Sequence, residues 1–262
     1  DAGGFRLDDL ALESAALRLK AAAEAGTDGF LNRLRVDASI EDQSRGSVLL
    51  PVKGADTSIA NAKFQLAYGD RPTNDWTGRL AIAGLKNATI AASDIALDMG
   101  GVAENLNDPA NRHITFDVTG GVSGITAERS EIAEALGDRI ALAIDGAWRA
   151  GSPVELARAN IEGNGLSLDL KGAIDDFVYN GDIAARVASL APFGALAGRD
   201  LAGSIDVKAN GMVQPIGGAF NLKLDGTAQN MRTGTETVDR ILDGAVTLAG
   251  SVGRSAQGFS AR

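Results

Sequence analysis

Cysteine is absent from this sequence, and histidine occurs only once. Without thiols the chain can form no disulfide bond, no zinc–cysteine site and no thiol nucleophile. No apolar run approaches the roughly 18 residues that a membrane-spanning helix needs. Aromatic residues make up only 5% of the chain although 45% of it is hydrophobic, so small and aliphatic residues supply most of the apolar surface. A core built around large aromatic anchors is therefore not indicated.

Basic residues are outnumbered, since 25 lysines and arginines face 34 acidic residues and the formal net charge is −9 at pH 7. Nucleic-acid backbones and anionic lipid surfaces both repel such a chain, so we expect no nucleic-acid partner and no attraction to an anionic membrane surface. Neither a glycine-rich phosphate loop nor a Gly-x-Ser-x-Gly nucleophile motif is present. The single His113 stands beside Ile114 at an outward strand position, where a solvated residue is expected more than a metal ligand. We predict a protein that is not an enzyme and holds no catalytic metal or other cofactor.

A short alternating pattern dominates what remains. Leu166-Ser167-Leu168-Asp169-Leu170-Lys171 is one instance, and similar runs occupy residues 204–209 and 220–225. Period-two alternation places apolar side chains on one face of a β-strand and polar ones on the other. The 33 glycines suit a chain with many turns. The pattern predicts many strands, each with one apolar face.

The alternation recurs from end to end, and we predict an all-β, elongated, mostly antiparallel β-groove with an apolar concave interior. An ordinary β-sandwich would alternate as well. Few helical segments, scarce aromatics and small residues such as Gly78 at inward positions favour an open trough. The residues predicted to line it are Leu17, Leu19, Leu34, Val36, Phe64, Leu66, Leu80, Ile82, Ile95, Leu97, Ile114, Phe116, Ile140, Leu142, Leu166, Leu168, Leu170, Ile205, Val207, Phe220, Leu222, Leu224, Val246 and Leu248.

Turn dipeptides and helix signals organise the chain further. Residues that tolerate positive φ predict tight hairpins at Asn164-Gly165, Asn180-Gly181, Asn210-Gly211, Asp225-Gly226 and Asp28-Gly29. Short helical caps are predicted at residues 130–137, with Ser130 as N-cap, and at 190–198 and 238–242. We interpret residues 1–262 as one continuous groove segment with a candidate sub-boundary near 128–138. The start at Asp1 suggests an excerpt of a longer protein.

Three segments together resemble a known family. The run LAPFGALAGRDLAGSIDV at residues 190–207, GAFNLKLDG at 218–226 and ILDGAVTLAG at 241–250 look like the TamB proteins of Gram-negative bacteria, which belong to the AsmA-like superfamily. Residues 29–38 and DWTGRL at 75–80 are similar in style. The resemblance extends over most of the chain and is firmest over residues 185–250. Its motifs are patterns of spacing and small residues, so they are moderately specific.

This resemblance implies both a fold and a function. TamB-like proteins are built of repeating β-grooves, or β-tacos, and are anchored in the inner membrane by an amino-terminal helix. They extend across the periplasm and are regarded as bridges that carry phospholipid toward the outer membrane. The implied partners are phospholipid acyl chains, the rest of the same long chain, and a TamA-like outer-membrane barrel contacted through a region outside this segment.

Two other functions fit the sequence. A periplasmic scaffold or chaperone would pair its exposed strand edges with outer-membrane β-strands. A secreted glycan-active enzyme would need clustered carboxylates and aromatic platforms, for which Asp175-Asp176, Asp8-Asp9, Trp76 and Trp148 are the candidates. Acidic doublets are common at turns of acidic proteins, and tryptophans more often pack than bind. The lipid bridge is therefore the favoured hypothesis.

Overall fold

The computed structural model describes residues 4–26, 31–42, 44–50, 56–69, 74–214, 218–255 and 258–261. Strands hold 70% of the residues and helices 8%, so the chain is all-β, as predicted. The strand pairs within each unit described below are antiparallel, and their sheets are not closed into barrels. The prediction of an open antiparallel fold with a few short helices is confirmed.

The chain forms two compact units. Unit 1 comprises residues 1–128 and 147–152, and unit 2 comprises residues 129–146 and 153–262. The first division falls between a strand that ends at Ala127 and a helix that begins at Ser130. One strand, β10 at Arg139–Arg149, contributes residues to both units.

Unit 1 is an antiparallel sheet in which β1, β2, β3, β6, β7, β8 and β9 pair in that order. A short β4–β5 pair joins this sheet through β5 and β7. The strands are β1 (Phe5–Glu13), β2 (Leu17–Ala25), β3 (Leu31–Glu41), β4 (Val48–Leu50), β5 (Thr57–Ile59), β6 (Asn61–Tyr68), β7 (Asp75–Lys86), β8 (Ile90–Glu104) and β9 (His113–Ala127).

Unit 2 continues the same plan, with β11 to β17 pairing in chain order. Its strands are β11 (Val154–Gly163), β12 (Leu166–Asp175), β13 (Val178–Val187), β14 (Ala202–Gln214), β15 (Ala219–Arg232), β16 (Ala245–Ser255) and β17 (Gly258–Ala261). Its helices are α1 (Ser130–Leu136), a 3-10 turn (Ala191–Phe193), α2 (Gly194–Ala197) and α3 (Glu236–Ile241).

The three predicted helical caps are present, although α3 begins at Glu236 rather than at residue 238 and the N-cap of α1 differs. Gly137 and Gly198 end α1 and α2 with positive φ angles of 71° and 63°, which glycine adopts without a side-chain clash. The N-cap of α1 is Arg129 rather than Ser130, and no side chain caps this helix end. The Ser130 assignment was therefore wrong, because Ser130 already lies in the first turn.

The predicted hairpins divide into right and wrong. Asn164-Gly165 forms the two-residue turn between β11 and β12. Asn180-Gly181, Asn210-Gly211 and Asp225-Gly226 instead lie inside β13, β14 and β15, so those three turn predictions were wrong. The period-two pattern continues through each of these glycines, which occupy apolar-side positions where the strands approach closely. Asp28-Gly29 lies outside the described residues.

Candidate functional site

The strand register of unit 2 sorts its side chains into rows, meaning residues that lie opposite one another across neighbouring strands. Alternate rows are apolar, and we call the surface that they share the apolar face of unit 2. Its members from β12 to β16 form four rows: Leu166, Val187, Ile205, Ala228 and Val246; Leu168, Ala185, Val207, Gly226 and Leu248; Leu170, Ile183, Ala209, Leu224 and Gly250; and Gly172, Gly181, Gly211, Leu222 and Val252.

Unit 1 has an equivalent surface, the apolar face of unit 1. Three of its rows run from β2 to β8 and contain no charged residue. They are Leu17, Ile40, Ala62, Ile82 and Ile95; Leu19, Ala38, Phe64, Leu80 and Leu97; and Ala21, Val36, Leu66, Gly78 and Met99. One face of this sheet is therefore apolar along these three rows, from β2 to β8.

The sequence-predicted lining residues fall on these two faces, one set in each unit. In unit 1, Leu34 lies in the row of Tyr68 and Trp76, while Ile114 and Phe116 alternate with polar residues along β9. In unit 2, the space for a side chain at Gly163 borders Ile140, whose Cγ1 lies 3.8 Å away, and Leu142 follows two positions along β10. Residues that the prediction missed on the same faces include Ile40, Met99, Tyr179, Ile183 and Val252.

Most of these apolar side chains are neither buried nor fully exposed, although Ala209, Ala228 and Tyr179 are buried. Among the described residues, only ten hydrophobic residues are buried, and Ile59 is the one large side chain that is fully enclosed. Leu168, Val207 and Leu222 are each half-buried, whereas the intervening Asp169 and Lys223 are exposed. An apolar face that is only half-buried still presents apolar area that an occupant could remove from water.

Three glycines form a row across the centre of unit 2, where Gly172, Gly181 and Gly211 are opposed on β12, β13 and β14. A Cβ atom on Gly181 would lie 2.6 Å from the Cα atom of Gly172. The same atom would lie 2.7 Å from the hydroxyl oxygen of Tyr179, so the phenol ring extends along the strand toward this row. The glycines therefore permit a close strand approach that Tyr179 covers from the apolar side.

Unit 1 uses a tryptophan in a similar way. The Nε1 atom of Trp76 donates to the main-chain oxygen of Thr115 at 3.1 Å. A Cβ atom on Gly101 would lie 2.8 Å from the same Nε1. The main-chain N–H of Val102 meanwhile donates to the Thr115 hydroxyl at 3.0 Å. Side-chain hydrogen bonds of Trp76 and Thr115 therefore replace part of the β8–β9 ladder. Gly101 has no side chain, which leaves room for the indole ring.

The two ends of the unit 2 strands differ, and we call them the helix end and the turn end. Helices α1, α2 and α3 all lie in connections at the helix end, beside the row of Leu166 and Val246. Helix α1 approaches the apolar side there, because a Cβ atom on Gly163 would lie 3.6 Å from the main-chain oxygen of Leu136. The side-chain amide of Asn164 also donates to the main-chain oxygen of Glu134 at 2.7 Å.

At the turn end the connections are short. Asp176 and Phe177 join β12 to β13 with positive φ angles of 45° and 61°, and the Phe177 side chain is 68% exposed. The row nearest this end contains Tyr179, Val213, Phe220, Arg254 and Phe259. The apolar face therefore ends in aromatic residues on this side and beside helices on the other.

The opposite face of each sheet carries charged side chains, several of which pair with one another. In unit 1, the Gln65 amide donates to Asp37 at 2.9 Å and Arg79 bonds Asp98 at 2.7 Å. In unit 2, Arg186 bonds Asp206 at 2.9 Å. Shallow concavities of about 550 Å³ and 560 Å³ lie among such residues, the first beside Arg79 and the second around Ala184. Exposed pairs of this kind contribute little stability, and they keep these faces hydrated.

The candidate catalytic residues do not converge. The His113 Nδ1 lies 2.9 Å from a Glu104 carboxylate oxygen, and the His113 side chain is only 16% exposed, so the expectation of a solvated histidine was wrong. Asp175 ends β12 while Asp176 lies in the following turn, and Asp8 bonds Arg6. No group of three or more histidine or acidic residues that could hold a metal ion occurs among the residues described.

A scan against protein-family models, a search of curated proteins and a search of solved structures each found no match to this chain. In the described parts of the chain, no helix is long and apolar enough to cross a membrane.

Proposed function

We propose that this chain is a segment of a bridge-like lipid-transfer protein, whose apolar faces hold phospholipid acyl chains while the charged faces remain in water. The observation that carries the proposal is the sorting of side chains into apolar rows and intervening rows that hold most of the charged and polar residues. The apolar rows stay half-exposed, and few hydrophobic residues are buried among those described. Such a face suits an apolar ligand that binds reversibly.

The energetics favour an acyl chain as that occupant. Burial of one CH₂ group contributes about 0.8 kcal/mol, so half of a 16-carbon chain contributes about 6 kcal/mol. The headgroup would remain hydrated at the rim of the sheet, so its charge would not have to be desolvated. The apolar rows that begin at Leu166, Leu168 and Leu170 contain no charged residue that an acyl chain would have to desolvate.

The resemblance to the TamB proteins supplies the setting of the proposal. In that setting the chain belongs to a protein anchored in the inner membrane and works in the periplasm, where it passes phospholipid toward the outer membrane. The rest of the same chain would continue the apolar track, and a TamA-like barrel would be reached through another region. No energy source lies in this segment, so the direction of transfer would be set elsewhere.

Mass spectrometry of lipid that co-purifies with the protein tests the proposal. We would compare Leu168→Arg with Asp169→Arg, because these neighbours lie on opposite faces of β12. A charge on the apolar face must be hydrated or paired, so Leu168→Arg should lose most of the bound phospholipid. Asp169→Arg should keep it. Equal phospholipid content in both folded variants, or none in the unmodified protein, would refute the proposal.

A scaffold for outer-membrane β-strands is the second candidate, and the first strand of unit 1 favours it. Phe5, Leu10 and Leu12 of β1 remain 61%, 44% and 53% exposed although β1 pairs with β2. A strand from another protein could cover these side chains while it pairs with β1. Saturable binding of an outer-membrane strand peptide, abolished by Leu10→Asp and Leu12→Asp together, would support this function.

A further inference from the structure

One charged residue interrupts the apolar face of unit 2. Arg254 lies opposite Phe220 on one side and Phe259 on the other, so all three side chains project from the same face. Between the row of Val246 and the row of Arg254, no other described member of this face carries a charge. Arg254 is exposed, so its guanidinium is hydrated when no ligand is bound and is accessible to an anionic group.

Among the residues described, the Arg254 guanidinium lies beside an aromatic ring and a glycine. The guanidinium carbon lies 5.3 Å from the centroid of the Phe259 ring, and Phe259 packs edge-on against Phe220 at 6.3 Å. A Cβ atom on Gly218 would lie 3.4 Å from an Arg254 terminal nitrogen, so a glycine there makes room for the group. Among the residues described, no carboxylate lies within ion-pair distance of Arg254.

We propose that Arg254, flanked by Phe220 and Phe259, binds the phosphate of a phospholipid whose acyl chains lie on the apolar face of unit 2. This inference rests on the proposed lipid-transfer function and adds a headgroup site to it. The guanidinium presents paired N–H donors that match two phosphate oxygens. The aromatic rings offer apolar surface next to the cation, where the ester and first methylene groups of the same lipid would pack.

The position along the strand suits this assignment. Arg254 lies at the turn end, eight residues from Val246 at the helix end of β16. Eight residues of antiparallel strand span about 27 Å, whereas one leaflet of a bilayer has a hydrocarbon thickness of about 15 Å. An acyl chain that starts at Arg254 therefore fits along the apolar face before it reaches the helices.

The test measures binding of two lipids with the same acyl chains, phosphatidylglycerol and diacylglycerol, by the intact protein. We expect Arg254→Gln to weaken phosphatidylglycerol binding by about tenfold or more, since a charged hydrogen bond is lost, and to leave diacylglycerol binding unchanged. Arg254→Lys should fall between. The control is Arg186→Gln on the charged face, which should bind both lipids as the unmodified protein does.

Three results would overturn the headgroup site. Unchanged phosphatidylglycerol binding by Arg254→Gln would show that the cation contacts no phosphate. Equal losses for both lipids would show a general packing effect. Inorganic phosphate that competes at Arg254 as strongly as phosphatidylglycerol would mark a site for free anions. If the unmodified protein binds neither lipid, the proposed function itself fails, an outcome distinguishable from the other three.

Discussion

The hydroxyl oxygen of Tyr179 lies 3.1 Å from the main-chain oxygen of Lys171 on the neighbouring strand. It also lies 2.6 Å from the main-chain oxygen of Asp182, so one phenol proton serves two carbonyl groups. Tyr179 is 93% buried, since its relative exposure is 7%, and it covers the glycine row of unit 2. The tyrosine thus connects β12 and β13 where the glycines leave no side chains to pack.

Removal of this hydroxyl should weaken unit 2. We expect Tyr179→Phe to lower the free energy of unfolding by about 1 kcal/mol, because two strand carbonyls lose a buried donor while the ring remains. Urea denaturation monitored by circular dichroism measures this change. A matched control is Tyr68→Phe in unit 1. A Tyr179→Phe protein as stable as the unmodified one would show that water replaces the phenol without cost.

The same residue should give the protein a pH-dependent stability in the alkaline range. Burial raises the pKa of the Tyr179 phenol above its ordinary value of 10.0. The unfolded chain therefore loses this proton first, and the stabilisation present below about pH 10 is lost as the pH rises through the folded-state pKa. The stability advantage of the unmodified protein over Tyr179→Phe should shrink above pH 10. An advantage that grows with pH would contradict the assignment.

The glycine row should tolerate no side chain. In Gly181→Ala the new methyl group would lie 2.6 Å from the Cα atom of Gly172, so we expect a loss of about 1–3 kcal/mol in unfolding free energy. Gly163→Ala is the control on the same face, because its nearest neighbour would lie at 3.6 Å. Thermal unfolding of both variants checks this difference. Equal midpoints would mean that the strands separate at no cost.

In unit 1 the tryptophan should hold two strands together through its indole nitrogen. Trp76→Phe removes the donor to Thr115 and should speed amide hydrogen exchange around Gly101 in β8 and Thr115 in β9. Exchange in β2 and β3 should be unaffected, which provides an internal control. Unchanged protection at Val102 would indicate that the Thr115 hydroxyl alone maintains this part of the ladder.

The fold class and the two-sided nature of the strands could be predicted from the sequence because side-chain alternation directly encodes them. Leu166, Leu168 and Leu170 lie on one face because they alternate with polar residues along β12, which is the pattern that predicted this arrangement. Asn180-Gly181 misled because its dipeptide permits a turn while its position in the alternation, two residues after Tyr179, marks a strand interior. The pairing of β13 with β12 decided between these two local signals.

The contacts of individual side chains could not be predicted from the local sequence pattern either. Arg254 follows Val252 by two positions, so the alternation places it on the apolar face. Its pairing with Phe259 across β16 and β17 depends on the register of that hairpin. His113 was expected in solvent because it occupies an outward strand position, whereas its contact with Glu104 forms only when β8 and β9 pair.

The most direct test of the central claim is photo-crosslinking to phospholipid at alternate positions along single strands. A photoreactive residue would be placed in turn at Leu168, Asp169, Leu222 and Lys223 of the protein, which lie on β12 and β15. The account predicts crosslinked phospholipid at Leu168 and Leu222 and little at Asp169 and Lys223. Equal labelling at all four positions, or labelling confined to Asp169 and Lys223, would contradict it.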